Sequence, residues 1–157
     1  MLIRRVRRAD IPQISRLYYE TVHRVNAEDY GREQIRAWAP RVYADAFWQR
    51  RFRRYEDFFA EDGAAVAGFV ELAPKGEIDC FYVHHAHQHR GTGAALMAQV
   101  ERETRSRGST RLLADVSITA EPFFRRVGFR VVRRQIKIYR NRAFKQAVME
   151  KPPRRNG

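Results

Sequence analysis

The chain has 157 residues, 44% of them hydrophobic and 31% charged, with a formal net charge of +13. That is enough for one domain with a real core, too short for two ordinary ones, and too apolar for a disordered chain. No apolar run approaches the ~20 residues that span a bilayer, and Met1 to Arg8 leads into no apolar signal-peptide core, so the expected location is cytoplasmic.

Leu2 to Val6 reads as an opening strand. Asp10 followed by Pro12 marks a helix start, because aspartate caps free N–H groups and proline needs none. Ile14, Leu17, Tyr18, Val22 and Val25 then recur at spacings of three and four, which predicts one apolar helix face. Short helical pieces are predicted around Glu33 to Trp38, stopping before Pro40, and around Ala44 to Arg53. Strand character begins near Phe58, turns at Asp62-Gly63 and resumes from Ala64 to Leu72, and Pro74-Lys75-Gly76 turns the chain again. Ile78 to Val83 is the next strand, and it contains Cys80, which reads as a small core residue. A polar loop leads to Gly91-Thr92-Gly93, and Leu96, Met97 and Val100 mark a helix ending near Gly108. Arg111 to Val116 is a strand, Pro122 to Arg126 a short helix closed by Gly128, and Phe129 to Tyr139 with Ala143 to Met149 a terminal hairpin. The expected fold class is α+β, with one domain over residues 1–151 and a disordered tail at 152–157.

The segment Gln88-His89-Arg90-Gly91-Thr92-Gly93-Ala94 joins a strand to a helix. Its glycines permit a tight turn and expose successive N–H groups at a helix start, which suits a pyrophosphate, with Arg90 as an added cationic contact. The segment lacks G-x-x-x-x-G-K-[ST] and lacks the third glycine and following acid of a dinucleotide site, so a different phosphate ligand is implied.

Gln88 to Gly93 resembles the Q/R-x-x-G-x-G/A hallmark of GNAT acetyltransferases, placed after a strand as in that superfamily. Tyr82-Val83-His84, Ala120-Glu121-Pro122-Phe123-Phe124, Val127-Gly128-Phe129 and Met149-Glu150-Lys151 extend the likeness over nearly the whole chain, which looks most like the bacterial YafP-like subgroup. The resemblance implies a central, mixed, mostly antiparallel twisted sheet flanked by helices. It implies acetyl-CoA as acyl donor, an amine as acceptor, a small molecule more than a protein, and homodimerisation as a common family option. Its pantetheine arm is expected between Phe81 to Val83 and Val116 to Ile118. The cofactor contacts carried over are Phe81, Tyr82, Val83, Gln88, His89, Arg90, Gly91, Thr92, Gly93, Ala94, Ser117 and Phe124.

Acetyl transfer needs a deprotonated amine, and an acid for the leaving thiolate helps. Ideal strand alternation puts Glu77, Asp79, Phe81 and Val83 on one face and Ile78, Cys80 and Tyr82 on the other. Asp79 is the favoured base and Glu77 the second, a position where some GNAT enzymes carry a glutamate. Many relatives have an acid tyrosine four residues before the glycine of G-F, where this chain has Phe124. Tyr82 is the first replacement, with Tyr139, Ser117 or water behind it. His84, His85, His87 and His89 crowd one loop but lack a second ligand cluster, so no metal is expected. Trp38, Trp48, Tyr30 and Tyr43 fall in the half that shapes the acceptor pocket in this family, and otherwise read as core.

Only four of the 31 basic residues are lysines, and the arginines run from Arg4 to Arg155, so the charge is diffuse and no nucleic-acid motif accompanies it. Specific nucleic-acid binding is therefore the least favoured reading, behind a noncatalytic acyl-CoA-binding module. Local charge following the global sign would attract anionic acceptors and repel polyamines.

Overall fold

A computed structural model describes residues 1–109 and 111–152, so most of the expected tail lies outside the described residues. The elements are β1 (Leu2–Arg5), α1 (Ile11–Arg24), α2 (Arg32–Trp38), α3 (Asp45–Phe52), β2 (Glu56–Asp62), β3 (Ala65–Leu72), β4 (Glu77–Val83), α4 (Thr92–Ser106), β5 (Leu112–Ser117), α5 (Glu121–Arg126), β6 (Arg130–Tyr139) and β7 (Arg142–Lys151). The strands form one sheet in the order β1-β2-β3-β4-β5-β7-β6, in which only β4 and β5 run parallel. No helix among the described residues is long and apolar enough to cross a membrane.

The α1 stripe is buried as its spacing requires: Ile14, Leu17 and Val22 are covered. Asp10 does not cap α1. It takes Arg4 in a bidentate pair at 2.8 Å and accepts the Arg7 N–H at 2.6 Å, because the chain enters the helix through a short 3-10 turn. The β2–β3 hairpin turns on Gly63-Ala64, one residue later than the Asp-Gly signal, with Gly63 at φ 64°. Arg140 and Asn141, both at positive φ, make the last hairpin, and β7 inserts between β5 and β6.

Leu96, Met97 and Val100 of α4, with Phe124 of α5, seal one face of the sheet against Phe58, Val70, Ile78, Val116 and Met149. The other face carries α1 and α3 over Phe59, Phe69 and Cys80, and α2 near Phe144. Burial pushes the Cys80 thiol well above its usual pKa, so it packs as an apolar group.

Candidate active site

β4 and β5 pair only at Glu77↔Leu113 and Ile78↔Ala114, then part. The His84 N–H donates to the Ala67 carbonyl at 2.8 Å, and Tyr82 lies opposite Phe69. By antiparallel alternation, Tyr82 and His84 turn their backbone groups toward β3, and Phe81 and Val83 turn theirs into the gap. The Gln88 amide donates to the Val83 carbonyl at 2.7 Å, tying the loop to the strand, which leaves the Val83 N–H as an open donor. Gln88 thus acts as a brace as well as lining the gap.

The loop closes on α4 through two left-handed residues, His89 at φ 59° and Gly91 at φ 83°. The first helical bond runs from the Ala95 N–H to the Gly91 carbonyl, so the N–H groups of Thr92, Gly93 and Ala94 have no acceptor within the helix. The two glycines differ in purpose. Gly91 supplies the turn, whereas Gly93 is helical and makes room for Phe123, whose ring lies 2.8 Å from where a Cβ would stand. Thr92 is buried with its hydroxyl unpartnered. The Arg90 side chain is exposed and does not line the cavity; Arg126, at the end of α5, does.

The gap opens into a cavity of about 960 Å³ that continues to the α1–α3 side of the sheet. There the expected alternation of β4 fails. Leu72 lies opposite Ile78 and Glu71 opposite Cys80, so Asp79 is an extra residue, a β-bulge. Ile78 and Phe81 consequently pack together toward α4, while Asp79 joins Cys80 and Tyr82 on the opposite side. Arg51 of α3 meets Asp79 there. Its Nε donates to Glu71 at 2.8 and 3.1 Å, its Nη2 bonds Asp79, and Cys80 Sγ lies 3.7 Å away. Glu71 is fully buried; burial pushes its carboxyl up and Arg51 pulls it back. Beside it Asp57, 7% exposed with neither oxygen hydrogen-bonded, is pushed up to about 9 by burial and by the Glu71 charge. Glu77 is exposed and has no ion-pair partner among the described residues.

Tyr82 lines the cavity with its ring 4.9 Å from Tyr18 and 5.8 Å from Phe69, and burial pushes its phenol well above the usual value. Ser117 Oγ accepts the Ala120 N–H at 3.1 Å and so organises the start of α5. Phe124 is 3% exposed and packs on Phe81 and Phe129 at 5.6 and 4.9 Å, an apolar seat with no proton to give. In the histidine loop, His84 Nδ1 accepts the Ala86 N–H, which puts its proton on Nε2, 3.3 Å from Glu20. Glu20, His84 and His85 come within reach of one another, yet a metal on His84 Nε2 would need the proton on Nδ1, where the Ala86 N–H already points.

The lining or supporting residues not singled out from sequence include Arg51, Glu71, Arg126 and Gln146. Arg126 carried a signal, a cation one turn after Phe123; Glu71 carried none, lying within an otherwise apolar strand.

The family model for the acetyltransferase (GNAT) domain matches residues 26–144. The chain belongs to the GNAT acetyltransferase family. Within that family it is 28% identical over 133 residues to the uncharacterized N-acetyltransferase YafP of Escherichia coli, covering 85% of this chain and 83% of that one. Among solved GNAT structures it is similar to the GCN5-related N-acetyltransferase of Rhodopseudomonas palustris, with a TM-score of 0.90, 25% identity, and 96% and 94% of the two chains covered. The PaiA N-acetyltransferase of Thermoplasma acidophilum, solved in complex with coenzyme A, shares the fold at a TM-score of 0.79 and 19% identity over 96% and 97% of the chains. The mixed seven-stranded sheet is thus the GNAT fold anticipated from the loop motif.

Proposed function

We propose that this chain is an N-acetyltransferase that takes the acetyl group of acetyl-CoA to the primary amine of a small molecule. The observation that carries the reading is the parting of β4 from β5, with the open Phe81 and Val83 backbone leading to the free N–H groups of Thr92, Gly93 and Ala94. A cradle of this kind fits the two ends of acetyl-CoA: helix-terminal donors for the pyrophosphate, and a strand edge for the amide-bearing pantetheine arm. Arg126 lines the cavity at the phosphate end and has no ion-pair partner among the described residues. The bound state of PaiA with coenzyme A supports the same assignment.

Acetyl-CoA supplies the activated acyl group; the chain supplies position, a donor and a proton acceptor. The Val83 N–H is the open donor placed to polarise an acyl carbonyl in the gap. Asp79, favoured by sequence, already serves Arg51, so Glu77 is the better acceptor for the ammonium proton, directly or through water. Phe124 offers no acid, and a departing thiolate tolerates that loss better than an alkoxide would, because a thiol is the stronger acid. The same apolar residue is what favours the second reading, an acyl-CoA-binding module without turnover.

Calorimetric titration with acetyl-CoA, against CoA, ATP and a short RNA at two salt concentrations, tests the proposal. Saturable acetyl-CoA binding that survives moderate salt is the expected result. Binding of RNA alone, lost with salt, would sink it. Acetyl-CoA binding with no thiol release on any amine would leave the binding-module reading standing.

A further inference from the structure

The chain is strongly cationic as a whole, but the cavity on the α1–α3 side of the sheet is not. Two cations border it there, Arg51 and Lys137. Arg51 is taken by Glu71 and Asp79, and Lys137 lies 3.8 Å from Asp115. With Glu77 also lining the cavity, the two lining cations face three lining carboxylates, Glu77, Asp79 and Asp115, with the buried Glu71 behind Arg51, so this half carries no net positive charge inside a chain of +13. No further Arg or Lys lines this half among the described residues to hold an acceptor's carboxylate or phosphate; Arg126, the third lining cation, belongs to the α4 half. Local charge therefore does not follow the global sign, which was the condition for attracting anionic acceptors.

The rest of the wall is aromatic: Tyr18, Trp38, Phe47, Tyr82, Tyr139 and Phe144 line it. Rings in this number accept a flat apolar body by stacking and a cation over their faces. Thr21 Oγ1 and Gln146 Oε1, on side chains that line this half, are buried and have no partner. Both can accept a hydrogen bond, and buried polar atoms are rarely left unpaired. An ammonium group, with three donors and no acceptor, matches a site that offers carboxylates and aromatic faces.

Building on the acetyltransferase reading, we infer that the acceptor is an arylalkylamine, an ammonium on a flat aromatic body, and not an amino acid or an anionic amine. Glu77 holds the ammonium before transfer, and the aromatic wall holds the body.

The test has two independent arms on the full chain. Binding of phenethylamine is measured without acetyl-CoA by the change in tryptophan emission and that of tryptamine, itself an indole, by calorimetry, and thiol release from acetyl-CoA is measured with those amines, glutamate and spermidine. Phenethylamine and tryptamine are expected to bind saturably and to exceed glutamate and spermidine at least about tenfold in kcat/KM. Glu77→Gln, an exposed position that does not endanger folding, is expected to weaken phenethylamine binding about tenfold, the scale of one charge-assisted hydrogen bond. Equal or better turnover of glutamate or spermidine overturns the inference, as does absence of arylalkylamine binding in protein that binds acetyl-CoA. Failure to bind acetyl-CoA would instead remove the reading beneath it, and the amine-binding arm would still decide the acceptor.

Discussion

Asparagine in place of Asp57 would expose a proton that the folded chain keeps. Asp57 on β2 faces Glu71 on β3, is 7% exposed, and has neither oxygen hydrogen-bonded. Its pKa, pushed up to about 9 from an ordinary 3.8, means that the native chain holds the proton across the range in which an unfolded chain has released it. A raised carboxylate pKa contributes stability that is complete below about pH 4 and is lost steadily as pH rises toward 9. One retained proton changes the unfolding free energy by about 1.4 kcal/mol per pH unit, so the loss between pH 5 and pH 7 is about 2.7 kcal/mol. Asparagine has the same shape and no proton to release. The stability of Asp57→Asn relative to the native chain should therefore rise by about 2.7 kcal/mol between those pH values. Urea unfolding followed by the fluorescence of Trp38 and Trp48 at pH 5, 6 and 7 measures it, and taking the difference between the two proteins cancels groups present in both, such as His85. Parallel pH profiles would refute the reasoning, showing that Asp57 is ionised in the folded state.

Arg51→Ala should cost about 3–5 kcal/mol, because it strands the buried Glu71 charge, whereas Asp79→Asn, at the open end of the same cluster, should cost under about 1 kcal/mol; both are read from urea midpoints. Gly93→Ala drives a methyl into the Phe123 ring and should destabilise by about 1–3 kcal/mol and weaken acetyl-CoA binding in calorimetry. Gly91→Ala meets open space, so its cost is backbone strain alone, about 1–2 kcal/mol in the thermal midpoint. Glu77→Gln should lower kcat/KM at least tenfold, and Asp79→Asn less, in a thiol-release assay; the reverse order would restore Asp79 as proton acceptor.

What the sequence made legible was local. The α1 stripe, the strand–glycine–helix unit and the last hairpin follow from spacings within one element, and each formed where it was expected. What it hid depends on contacts between distant segments. Strand alternation places Asp79 with Phe81, but the bulge that moves it exists only in the pairing with β3. Gly93 looks like a second turn glycine until Phe123, from another helix, is seen against it. Glu71 reads as a stray acid in an apolar strand because Arg51, its partner, comes from α3 across the layer. Asp10 bears a cap's signature, yet Arg4 claims it first. Net charge leaves the cavity unread, since composition sums the surface and the cavity without telling them apart.

The two residue pairs that join β4 to β5 make the sheet almost two sheets, a meander of β1 to β4 and a triplet of β5, β7 and β6. Whatever fills the gap between them becomes a missing rung of the architecture as well as a reactant. Occupancy should then be felt as cohesion: thermal resistance would climb with the logarithm of ligand concentration once the site fills. The amides slowed most in hydrogen exchange would lie along the inner edges of β4 and β5, and each round of product departure would loosen the molecule across its middle.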